Sequence, residues 1–150
     1  MNIDEFLGLV QARAALPDRG AAERAVRATL ETVAERIPDG LAEHIAAQLP
    51  HEVGEHLRRV VAAHAPGAEQ RGSGEKFDLT SFAARISWRG GVAEDAALRE
   101  ASAVFEVLDA ALSPGLMDKL SHDLPHDIRE LLPTERAGVP RPERGEPEGG

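Results

Sequence analysis

The apolar skeleton of this chain is written twice, and that constrains its fold more than any other feature. Residues 3–16, IDEFLGLVQARAAL, set beside residues 79–92, LTSFAARISWRGGV, bring Phe6 onto Phe82 and Val10 onto Ile86. One residue of slippage follows, after which ATLETVAERIPDGL (28–41) lies on AVFEVLDAALSPGL (103–116). In that register Leu30 falls on Phe105, Val33 on Leu108 and Ile37 on Leu112. Leu41, Ile45 and Leu49 continue onto Leu116, Leu120 and Leu124, and LPHEVGEHL ends on LPHDIRELL. The pattern points to a tandem duplication, and two short units that each bury little apolar surface alone are expected to pack against one another.

Each copy reads as four helices, about eight in all. Ile3, Phe6, Leu7 and Val10 recur at i, i+3, i+4 and i+7, which predicts a helix over about residues 3–14. A second opens near Asp18 and carries Ala22, Val26, Leu30, Val33 and Ile37 before PDG breaks it. A short third helix, from Leu41 through Ile45, stops before Pro50, because a residue preceding proline is pushed out of helical conformation. The fourth runs from His51 to His64 with Val53, Leu57, Val60 and Val61 inward. Copy two repeats the plan, with a cap at Asp78 or Thr80, a second helix over about 93–112, and the Ser-Pro start SPG at 113–115. Its fourth helix begins after Pro125 and fades at Pro133. The expected organisation is copy one over 1–64, a flexible linker over 65–76, copy two over 77–133, and a disordered tail over 134–150.

Composition supports an all-α class and removes several kinds of function. Ala, Leu, Glu and Arg, all good helix formers, dominate, while aromatics make up 3% and Tyr is absent. With no Cys, the chain has no disulfide, thiol nucleophile or thiolate metal site. A net charge of −9 argues against a nucleic-acid partner, which calls for a basic face. Acids exceed bases in both 1–64 and 77–133, as on an ordinary solvated surface. The acidic N-terminus MNIDEFLGLV does not resemble a signal peptide, and no apolar stretch is long enough to span a bilayer. The simplest expectation is a soluble cytoplasmic protein with no membrane association.

Three stretches, IDEFLGLV, AAERAVRATLETVAERI and the AAQLPHEV corner, resemble the bacterial domain-of-unknown-function family 2267 over residues 2–132. The resemblance implies a small, helical, often duplicated protein. It brings no activity, catalytic residue or cofactor to carry over.

The stretch HEVGEH invites a zinc reading that its spacing does not support. A zinc-protease helix places two histidines at i and i+4, on one face. His51 and His56 are five apart, about 140° from each other around a helix. His51 and Glu55 have i, i+4 spacing, but two ligands make a weak site. In the second copy His126 matches His51, Asp127 matches Glu52, Glu130 matches Glu55, and Leu131 replaces His56. What recurs is Leu-Pro-His-acid-apolar, the grammar of a helix start, with acids complementing the helix dipole. His56 therefore reads as a surface variation. His122 and His126 are also four apart, but Pro125 separates them onto different helices.

No serine sits in a G-x-S-x-G elbow, and RGSGEK around Ser73 lacks the strand and the G-K-[ST] of a phosphate loop. Trp88 ends the first helix of copy two and is expected as a partly buried cover over the interface between copies, or else as an anchor for a partner. Arg13, Arg19, Arg24, Arg27, Arg58 and Arg59 give copy one more bases than copy two and read as a solvated face, or else as an asymmetric surface able to meet an acidic partner. Two classes of function follow. The first is a non-enzymatic interaction or scaffold module that meets another protein or a second copy, with no cofactor and no catalytic residue. The second is a small-molecule or metal-binding protein with its site between the copies, around His51, Glu55 and His126.

Overall fold

The computed structural model describes residues 1–64 and 76–133, and these are all-α. The elements among the described residues are α1 (Ile3–Arg13), α2 (Arg19–Arg36), α3 (Asp39–Gln48), α4 (His51–Ala63), α5 (Leu79–Gly90), α6 (Glu94–Ala111), α7 (Pro114–Asp123) and α8 (His126–Arg129). The expected tail and the expected linker, Lys76 apart, lie outside them.

Local chemistry accounts for most of these boundaries. Asn2 and Glu5 form a reciprocal capping box at α1, with Glu5 N–H donating to Asn2 Oδ1 at 2.8 Å. Asp18 caps α2, Asp78 caps α5, and Ser113 caps α7 with Pro114 in its first turn. Pro50 and Pro125 close off the preceding helices, so α4 and α8 begin at His51 and His126. The third helix starts two residues before the expected Leu41, because Pro38 and Asp39 already adopt its entry geometry. Asp127, expected only to complement the dipole of its own helix, also accepts from Leu79 N–H at 2.9 Å and so caps α5.

One hydrophobic core runs through both halves, from Phe6 in α1 to Leu132 beyond α8. The central element is α2, which packs on α1, α4, α5 and α6. Its alanines Ala22, Ala25 and Ala28 are buried, and such small side chains let neighbouring backbones come close. At one such approach Ala28 Cβ lies 3.6 Å from where a Cβ on Gly90 of α5 would stand. Ring stacking joins α5 to α6, with the Phe82 and Phe105 centroids 6.3 Å apart. Across the halves, Gln48 at the end of α3 accepts from Ser113 N–H at 2.8 Å, and Arg13 of α1 pairs with Glu106 of α6.

The fourth helix crosses the end of the third at very short range. A Cβ on Gly54 would stand 2.7 Å from the Ala46 carbonyl oxygen, and Arg58 donates to that same carbonyl at 3.2 Å. Buried Asp39 pairs with the partly exposed His64 at 2.7 Å and ties the far end of α4 back to the start of α3. The position matching Gly54 in the second half is Arg129, where α8 ends after four residues. Gly54→Ala should therefore destabilise by about 2 kcal/mol, although alanine favours a helix, because displacing backbone outweighs the propensity gain of about 1 kcal/mol. Urea unfolding checks this; an unchanged or higher midpoint would contradict the crossing geometry.

Candidate functional site

α5 is an amphipathic helix with two different faces. Phe82, Ala83, Ile86 and Gly90 are buried, and Trp88 lies about 200° around the helix from Ile86. Trp88 is 85% exposed, which corrects the expectation of a cover over the interface between halves. That interface is closed instead by small side chains, Gly90 against Ala28, and by ion pairs beside them. Glu35, Ala84, Arg85 and Arg89 surround a shallow depression of about 330 Å³ next to the indole.

A continuous string of charges holds this face rigid. Arg89 donates to Glu35 Oε1 at 2.9 Å, to Glu35 Oε2 at 2.5 Å and to Thr32 Oγ1 at 2.7 Å, and lies 3.5 Å from Glu31. Arg85 donates to Glu35 at 2.9 Å and stacks over the Phe77 ring at 3.9 Å. Burial raises the Glu35 pKa, but the hydrogen bonds from Arg89 and Arg85 outweigh it and hold the carboxyl below its ordinary value. Glu31 continues the string to Arg27 at 4.0 Å and to Arg59 of α4 at 3.8 Å. Arg59 then donates to His56 Nδ1 at 2.6 Å.

His56 is not a surface variation. It is partly buried against α2, and burial, with Arg59 and Arg27 adding to it, pushes its pKa down to about 4. Because an arginine can only donate, Nδ1 accepts and the neutral ring carries its proton on Nε2. The ring lines a cavity of about 380 Å³ between α1, α2 and α4. Ile3, Leu7, Val26 and Val53 give that cavity an apolar wall, while Arg24, Arg27, Glu23 and Glu52 supply charge. The folded-state pKa lies below the ordinary 6.5, so the unfolded chain binds the extra proton. Stability should therefore fall by about 2 kcal/mol as pH drops from 6.5 to 4, less than the bare shift implies because the ring is partly solvated. His56→Gln should flatten that slope in unfolding titrations; an unaltered slope would contradict the neutral imidazole.

The residues singled out as a possible metal set do not converge. His51 Nε2 lies 3.5 Å from Glu55 Oε2 with its side chain 76% exposed, at the first position of α4. His126 is exposed at the start of α8, which packs on α5, whereas α4 packs on α2 and α3. Among the described residues no group of three or more His, Asp or Glu side chains could hold a metal ion. Ser73 lies outside the described residues. The arginines of the first half are more committed than a solvated face implies: Arg13, Arg19, Arg27 and Arg59 face acids, Arg58 serves backbone carbonyls, and Arg24 makes neither kind of contact among the described residues. One signal for the network was present in the sequence: Glu31 and Glu35 are spaced four apart on α2, as are Arg85 and Arg89 on α5.

Among the described residues no helix is long and apolar enough to cross a membrane. The sequence profile of domain-of-unknown-function family 2267, described as an uncharacterized conserved protein, matches residues 3–131. No curated protein matches the chain.

Proposed function

This chain belongs to domain-of-unknown-function family 2267, and from that premise we propose that it is a non-enzymatic interaction module whose α5 face receives another protein or a second copy of itself. The exposed indole of Trp88 carries the reading. Large apolar side chains are otherwise withdrawn from the described surface, Met1 excepted, so a tryptophan that is 85% exposed is out of keeping with its surroundings. Trp is over-represented among residues that dominate binding energy, and a flanking depression gives a partner side chain somewhere to seat. The paired Arg85, Arg89 and Glu35 hold the helix end, which lowers the ordering cost of binding.

The same reading takes the chain as two copies of one plan, over 1–64 and 77–133, acting in the cytoplasm. Matching helix lengths support the duplication: 11, 18 and 10 residues for α1 to α3, against 12, 18 and 10 for α5 to α7. The lack of cysteine suits a reducing compartment.

The test compares the full chain with Trp88→Ala, a substitution at an exposed position that leaves the core intact. Self-association should appear as concentration-dependent sedimentation that the variant lacks, with the fluorescence of Trp88, the chain's single tryptophan, shifting to the blue on assembly. A hetero-partner should co-purify stoichiometrically from the native host with the wild type and not with the variant. Recovery of the same proteins by both, together with a monomeric wild type, would reject the reading.

A further inference from the structure

We propose that the cavity between α1, α2 and α4 binds a small amphipathic carboxylate, its anion held by Arg27 and His56 Nε2–H and its hydrocarbon body laid along Ile3, Leu7, Val26 and Val53. The volume of about 380 Å³ falls in the range of small-molecule sites and accommodates roughly a dozen groups the size of water or methylene. Arg27 and His56 are the less exposed polar side chains of the wall, while Arg24, Glu23 and Glu52 are exposed at the mouth. Glu23 faces Arg19 at 3.5 Å, so its charge is partly met from outside the cavity. Two arginines and two glutamates beside a neutral imidazole leave the wall close to neutral. That balance suits a monoanion with an apolar body and disfavours a phosphate, which calls for an excess of cations.

Arg24 adds a reserve of positive charge at the mouth. It makes no ion pair among the described residues, and it reaches Glu100 of α6 only through space. Glu100 is 6% exposed, and burial raises its pKa against the opposing pull of Arg99 and Arg24.

Octanoate serves as the probe and octan-1-ol as its uncharged counterpart, each titrated into the full chain below micelle-forming concentration while backbone amide shifts are followed by NMR. Octanoate should give saturable shifts confined to α1, α2 and α4, with an affinity well above that for octan-1-ol. Arg27→Gln should weaken octanoate by about tenfold and leave octan-1-ol unchanged, as expected for loss of one charge-assisted hydrogen bond. Because Arg27 also reaches Glu31 and the Arg89 carbonyl, the exposed Arg24→Gln provides a variant with no fold role, and it should weaken octanoate in the same sense by about threefold. Shifts scattered over other helices, equal affinity for acid and alcohol, or unchanged octanoate affinity in both variants would overturn the proposal.

Discussion

Phe105→Ala should destabilise the protein by about 4 kcal/mol, the usual cost of deleting a fully buried aromatic side chain and leaving a cavity. Phe105 is 0% exposed and lies on α6, which packs against α1, α2, α5 and α7. Its ring stacks on Phe82, so truncation also strips one face of a second buried aromatic. The loss approaches half the total stability of an ordinary small domain. Because one core runs through both halves, it should be felt in α2 and α3 as much as in α6. Amide hydrogen exchange gives the residue-by-residue readout: protection in α2, α3 and α6 should fall together by the same factor. Protection retained in α2 and α3 while α6 opens would mean that the halves fold as separate units.

The second large effect is electrostatic. Arg89→Leu should destabilise by about 3 kcal/mol, because Arg89 is 20% exposed and its removal leaves Glu35 and Glu31, each 19% exposed or less, without their main cation. Arg85 still reaches Glu35, and residual solvent access moderates the loss below that of a fully buried pair. The contribution of Glu35 to the pH dependence should weaken as well. In the wild type Glu35 is held below its ordinary 4.5, so it contributes stability above that pH that is lost as pH falls through the folded value. In the variant burial is opposed by Arg85 alone, so the folded value moves up and less of the stability that Glu35 contributes at neutral pH remains. The double variant Arg89→Leu with Glu35→Leu should recover much of the loss, since it removes the stranded carboxylate, and Arg85 keeps its place over Phe77. Chemical denaturation at acidic and neutral pH separates these outcomes; a single variant with wild-type pH dependence would mean that the network does not set the ionisation of Glu35.

Much of the fold was legible because helix signals act over three or four residues. Asp18, Asp78 and Ser113 are caps whose partners lie within the next turn, and their helices start where they stand. The inward positions followed from periodicity alone: Phe6, Val10, Val26, Leu30, Val33, Phe82, Ile86 and Leu120 are all buried. The same logic read His51 and His126 as residues at helix starts, and both stand there, exposed.

Three features could not be read that way. His56 looks like any polar residue on an exposed face until α4 is laid on α2, which buries the ring, brings Arg27 near and places it on a cavity wall. Glu35 and Arg89 are 54 residues apart, and nothing local says that their helices cross where these two side chains meet. Trp88 looked like interface material because tryptophan usually is buried on average. The crossing of α5 on α2 was instead taken by Gly90 and Ala28, leaving the indole outside.

The amino-acid sequence by itself determined that this protein is helical, where its helices begin, and which side chains they turn inward, since caps and apolar periods are short-range instructions. The tertiary structure alone decided the rest: the charge network across α2 and α5, the neutral His56 beside its cavity, the tight crossing at Gly54, and the exposure of Trp88. Each of these depends on how one helix is set against another, and that setting is a property of the whole packed core rather than of any segment within it.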